Sequence, residues 1–565
     1  MVRCVSGYSD DNIYSMENIP KAKFMKFSHL PTFLLIIGYP VYWLELFIFN
    51  KRDGTASFLA PALFLSCAIL TLIYRRQAVI TNYRWLKSFW RNSNFIIKLV
   101  LIVSAACISI IILTVLYAYL LPPHLSQEFD ALNYHLSIPR QHLILGSFEH
   151  ISWSSADLFP LPVDFALAPY WFATALPNKI PQFFFLIGLV LVAANLLMRL
   201  SNGNRFGACL AVIAIFGAHF IGIQMGTAML DTALAYLFLA ALDSFLEGNM
   251  ILAGIEAAFY FWSKSFIPLQ TGLIVMLLLF AWLIFKIRGF RTINWSFGRP
   301  IELKEKQGYL RNLKSFIVVF LVSSVIIAGP FLVKSWYYSG TPLYPFAAGA
   351  LKINKNVDVN DKHWESITDS AKTHINAKDS YGHGRSFFDF VRHFWLIAVP
   401  EQGVNNSYDY PLGLVYLIFL GPFLWFLVQS LIRREFVILP FLIIIYWVIW
   451  WFGSQQARFL YVPVLLMVIT VLSYLKNPSI VFLTCLSFAL VFNCLSVFSA
   501  HKTDLGLQKE EVLRAKDREL SRMSSDYLKQ GRHDTVSFAF YDIAYARFPV
   551  KVSGVRSAWV LTDNK

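Results

Sequence analysis

Apolar residues in this chain come in long blocks that repeat from near residue 31 to residue 498 and are interrupted by short polar loops. A hydrocarbon core of about 30 Å needs roughly 20 apolar residues in one helix. On that measure the pattern predicts spans at 31–49, 57–74, 95–121, 181–199, 206–223, 227–246, 250–264, 267–285, 315–335, 411–431, 435–452, 458–475 and 479–498. The count of about thirteen makes this an all-α polytopic membrane protein. Two long polar loops, 122–180 and 336–410, and a 499–565 tail stand outside the pattern. Within the first loop, 131–145 and 164–176 read as amphipathic helices between prolines. The tail contains a charged stretch near 505–530 and then SFAFYDIAYARF and SGVRSAWVL, runs that fit strands of a small α/β domain.

Composition agrees: 57% of the residues are apolar, 16% are aromatic and 15% are charged, beyond what a soluble domain carries. Charge then orients the spans, because short loops rich in Lys and Arg stay cytoplasmic. Loop 75–94 carries Arg75, Arg76, Arg84, Lys87 and Arg91, and loop 286–314 is similarly basic. Loop 122–180 opposes Arg140 and Lys179 with Glu128, Asp130, Glu149, Asp157 and Asp164, which places it outside. A cytoplasmic segment 1–30, a transmembrane unit 31–498 and an external 499–565 tail satisfy every short loop. The net charge of +15 is spread over these loops without a nucleic-acid-binding motif, so nucleic acid is not an expected partner. The six cysteines show neither metal-binding spacing nor a disulfide framework.

Chemistry concentrates near the expected external face. Asp130, in EFDALNYHLSIPR, follows the third span closely and has two readings. It is placed to act as a general base on a hydroxyl, or to cap the helix that begins at Ala131. Tyr134, His135 and Arg140 follow on the same stretch. Asp231 opens the sixth span at its outer end. Asp243 lies roughly 18 Å further along that helix and reads as a structural acid, while Glu256, mid-span, requires a partner or a wet cavity. Lys264, Lys334 and Arg458 end up at outer span ends, Arg458 just after Gln455 and Gln456. Snorkelling explains each cation singly; together they suit an anionic phosphate, which Arg binds bidentately.

The segments DALNYHLSIPRQHLILGSF from Asp130, MLDTALAYLFLAAL at 229–242, FLVKSWYYSGTPLYPF at 331–346 and QQARFLYVPVL at 455–465 resemble, in order and spacing, motifs of the GT-C superfamily of membrane glycosyltransferases. The likeness covers almost all of 95–475. It is nearest to the branch of bacterial aminoarabinose transferases and protein O-mannosyltransferases. The resemblance implies inverting transfer of a sugar from a polyprenyl-phosphate donor to an acceptor outside the cytoplasm, in a bacterial cytoplasmic (inner) membrane with the active site on the periplasmic side. Asp130 would be the general base. Arg458 and Lys264, then Lys334, would contact the phosphate, with Tyr134, His135, Asp231 and Gln455 around the substrate. Ala131 stands where the mannosyltransferases carry Glu, which favours a lipid or polysaccharide acceptor over a protein. A lone Asp with His135 makes no metal site, so no cofactor beyond the donor is implied. A transporter or flippase of lipid-linked saccharides would share the spans, and an O-antigen polymerase or ligase would shift the chemistry to Lys355, His363, His374, His383 and Arg385 in the later loop.

Overall fold

The computed structural model describes residues 26–49, 56–120, 130–151, 154–173, 178–288, 292–294, 306–348, 362–376, 381–382, 384–398, 408, 411–475 and 478–501. The expected α/β tail from residue 502, the polar segment to residue 25, Glu128, Lys355 and His383 lie outside these residues.

Helices dominate the described chain. In order they are α1 (Leu30–Leu44), α2 (Leu59–Asn92), α3 (Phe95–Leu120), α4 (Ser137–Leu145), α5 (Pro162–Trp171), α6 (Ile180–Leu200), α7 (Arg205–Gly217), α8 (His219–Gln224) and α9 (Asp231–Glu247). Then come α10 (Met250–Trp262), α11 (Ile267–Ile287), α12 (Lys306–Ser339), α13 (Lys362–Asn376), α14 (Phe387–Leu396), α15 (Leu414–Ile432), α16 (Ile438–Phe452), α17 (Tyr461–Tyr474) and α18 (Ile480–His501). Each block expected to span coincides with a helix. Among the described residues, 9 helices are long and apolar enough to cross a membrane. The other expected spans form shorter helices: α7 has 13 residues and breaks at Ala218 before α8, α9 has 17, α10 has 13 and α16 has 15.

Burial differs widely among the long spans. The stretch Ala457–Tyr474 has 83% of its apolar window buried, against 11% for Ile267–Ile287 and 17% for Leu59–Gln77. Helix α17 therefore sits at the centre, touching α6, α7, α9, α15 and α16. Leu65, Leu113, Val325 and Phe488 on the outer helices are exposed, an apolar surface that only lipid satisfies.

Two local departures from the sequence pattern matter. Residues 435–437, expected to begin a span, instead form a short strand, β2 (Glu435–Val437), parallel to β1 (Thr292–Asn294), with Ile293 opposite Phe436. The basic 286–314 loop is thereby tied to the turn before α16. Helix α5, expected to be amphipathic, is buried on every side because it lies against α1. Gly38 permits that approach, since a Cβ there would fall 1.9 Å from the Ala166 carbonyl oxygen. Tyr170 Oη donates to the Leu34 carbonyl at 3.0 Å and Tyr42 Oη to the Pro139 carbonyl at 2.9 Å, which fastens the first loop onto α1. Gly38→Ala is expected to overpack this crossing and cost about 1–3 kcal/mol. Thermal unfolding of the purified protein checks this, and an unchanged midpoint would contradict the packing.

Candidate functional site

Asp130 decides between its two readings by geometry. Its backbone is already helical, with φ −64° and ψ −41°, and its side chain makes no capping hydrogen bond. It reaches instead across the fold to Arg458, whose Nη1 donates to Asp130 Oδ2 at 2.8 Å. Both side chains are largely but not wholly covered, at 16% and 13% exposure, so the pair stays partly open to its surroundings. A single π-helical turn, Ala131–His135, follows and feeds into α4, which ends where Gly146 adopts φ 64°. Gly146 is suited to that left-handed cap because it has no Cβ.

Arg458 is held from its own side as well. It lies on the short 3-10 turn Ala457–Leu460 before α17, and its Nε donates to Gln456 Oε1 at 2.9 Å. Beside it, Lys264 Nζ donates to Asp231 Oδ1 at 2.7 Å and Gln224 Nε2 to Asp231 Oδ2 at 3.0 Å. Both cations approach the ring of Phe459, at 5.2 Å for Lys264 Nζ and 5.6 Å for Arg458 Cζ, so cation–π attraction adds to the ion pairs. Asp231, Lys264 and Arg458 line one pocket with Tyr260, Tyr446 and Tyr461 and with Leu234, Ile267 and Val462. Polar and apolar walls meet there.

Tyr134 and His135 fall on the same side. Burial pushes the Tyr134 hydroxyl well above its usual range; Asp130, Asp231 and Asp164 push the same way and Arg458 opposes them. His135 is buried and its Nδ1 donates to Asp164 Oδ1 at 2.7 Å. Burial pushes the Asp164 carboxyl up against the pull of His135 and of Lys264. Sequence reasoning missed Asp164 as a partner, along with Gln224 and Gln456. Spacing carries no signal for pairs separated by 29 residues or, for Asp130 and Arg458, by 328.

Lys334 and Gln455 are placed elsewhere. Lys334 Nζ lies 2.6 Å from Asp157 Oδ1 and 3.0 Å from His142 Nε2, and 4.2 Å above the Phe148 ring. His150 Nδ1 and the Ile151 N–H donate to the second Asp157 oxygen at 3.0 and 2.7 Å. Lys334 is thus a buried structural cation whose counter-charge is supplied by the protein. Gln455 Nε2 donates to the carbonyls of Gly384 and Trp451, pinning the loop before α14. In that later loop, His374 Nε2 meets Ser155 Oγ at 3.0 Å, and Arg385 donates to the carbonyls of Trp451 and Gly453. Comparison with protein-family models, curated proteins and solved structures gives no match.

Asp157 yields a pH-dependent expectation. Burial alone would raise its carboxyl, yet Lys334, His142 and His150 hold it well below the usual carboxylate range. A carboxyl depressed on folding adds stability above its unfolded value of about 3.9, and that stability is lost as pH falls through the lower folded value. Asp157→Asn, which leaves Lys334 buried without its counter-ion, is expected to cost about 3–5 kcal/mol at neutral pH. It should also flatten the loss of stability below about pH 4. Denaturation of wild type and variant across pH checks both, and parallel curves of equal height would contradict the role.

Proposed function

We propose that this protein is a polytopic membrane glycosyltransferase that moves a sugar from a polyprenyl-phosphate donor to a hydroxyl or amine of a lipid or polysaccharide acceptor, with inversion. In this reading the helices cross the membrane about thirteen times, and the Asp130 end of the bundle faces the outside of the bacterial cytoplasmic membrane. The observation that supports it best is that Arg458, paired with Asp130, and Lys264, paired with Asp231, line one pocket of mixed polar and apolar character. A phosphate with a long apolar tail needs such a pocket.

The acceptor O–H attacks the anomeric carbon as the bond from that carbon to the phosphate oxygen breaks. Asp130 takes the acceptor proton, and the phosphate departs with the bonding electron pair. The phosphate gains one negative charge as Asp130 loses one, so the net charge of the cluster stays constant through the step. Arg458 and Lys264 stabilise the charge where it develops, in a site with little water to reorganise. In the absence of donor each cation is held by an acid, which keeps Asp130 oriented for the next acceptor. Asp231 positions Lys264, and Asp164 positions His135 beside Tyr134.

Asp130→Asn keeps the size of the side chain but accepts no proton. With purified full-length protein and radiolabelled polyprenyl-phosphate sugars, this variant is expected to transfer about 10²–10⁴-fold more slowly than wild type. Transfer at the wild-type rate would contradict the general-base role, and translocation in proteoliposomes without a new glycosidic bond would favour a flippase instead.

A further inference from the structure

The opposite end of α9 carries a second cluster that the proposed reaction does not use. Asp243, about 18 Å from Asp231 along the helix, is fully buried, as is Glu256 on α10, and His29 just before α1 is 1% exposed. His29 Nδ1 donates to Glu256 Oε1 at 2.8 Å, and Thr32 and Ser244 donate to the same carboxylate at 2.7 and 2.8 Å. That bond fixes the imidazole so that Nε2 faces Asp243 Oδ2, at 3.5 Å. At this separation the two groups form an ion pair when the imidazole is protonated, and neither atom has a closer hydrogen-bond partner. Glu247, one helical turn beyond Asp243, completes a trio with His29 and Asp243 whose ligating atoms all lie within 4.8 Å of one another.

We propose that His29, Asp243 and Glu247 bind a divalent transition-metal ion of the Zn²⁺ class. An imidazole and two carboxylates suit that class, with bonds of about 2.0–2.2 Å. The surroundings are those of a metal site rather than of a bare acidic patch. A ligating histidine typically gives its other ring N–H to a carboxylate, and Glu256 accepts it here. Ligating carboxylates are themselves hydrogen-bonded: Arg199 Nε donates to Asp243 Oδ1 at 3.0 Å, and Lys26 Nζ meets Glu247 Oε2 at 2.7 Å. Two cations, Lys26 and Arg199, face three acids, Asp243, Glu247 and Glu256, and a metal ion would take the place of the proton that Asp243 and Glu256 favour on His29. A divalent ion satisfies His29 Nε2 and Asp243 Oδ2 together. Glu247 is the exposed member of the trio, so it can swing inward to close the coordination. The ion would clamp the segment before α1 to α9, independently of the transfer reaction.

The test uses the full-length protein purified in detergent, stripped with a chelator and titrated with Zn²⁺ and, separately, Co²⁺. About one ion per chain is expected, with visible Co²⁺ ligand-field bands and a Zn²⁺-dependent rise in melting temperature. His29→Gln should abolish binding, and Glu256→Gln should weaken it about 10–100-fold by loosening the carboxylate's hold on the His29 ring N–H. Glu247→Gln, at the exposed rim, should weaken it by about tenfold or more. No bound metal above background in wild type, or undiminished binding by Glu247→Gln, would overturn the proposal and leave a proton on His29 as the occupant.

Discussion

The ion pair between Asp130 and Arg458 joins the first long loop to the turn that leads into the central helix, and the arrangement of the site depends on it. From Asp130 the chain passes through Tyr134 and His135 to Asp164 on α5, which is buried against α1. From Arg458 it passes through Gln456 into α17, which belongs to the most enclosed of the candidate spans, Ala457–Tyr474. Phe459 and the pocket connect the same guanidinium to Lys264 and Asp231. Partial exposure suits this role, because a charge pair sealed from water would have no access to a ligand, and one fully in water would be screened to little effect.

The second buried pair, Lys334 with Asp157, has the opposite character. It is almost completely covered and further hydrogen bonds from His150 and Ile151 satisfy Asp157. Such a pair does more to specify a structure than to add net stability, since desolvation offsets much of the attraction. It fixes how α12 meets the loop between α4 and α5. The proposed phosphate contacts therefore narrow to Arg458 and Lys264, while Lys334 keeps the loop in place around them.

Hydropathy alone made the helices legible, because a segment in lipid must satisfy its own backbone and so becomes a helix wherever the apolar run is long. It was less able to separate long crossings from the short α7, α9, α10 and α16, whose apolar surfaces are covered in part by other helices. The strand at Glu435–Val437 was hidden in an apolar run that looks like the start of a span. At the site, Asp130 stood out by its position, and Asp231, Lys264 and Arg458 by their placement at span ends. Their pairing was not legible, since a partner 328 residues away leaves no local trace. The same reason concealed Asp157 as the neighbour of Lys334, and it concealed the convergence of His29 with Asp243 and Glu256.

The central claim is that the Asp231–Lys264–Arg458 pocket holds the phosphate of a polyprenyl donor. Equilibrium binding of a labelled polyprenyl phosphate to the purified chain tests it most directly, with Lys264→Ala and Arg458→Ala beside wild type and inorganic phosphate as competitor. Wild type is expected to bind saturably with competition by phosphate, and each variant to lose about tenfold or more in affinity, worth about 1.4 kcal/mol. Binding that neither substitution weakens, or no binding by wild type, would contradict it.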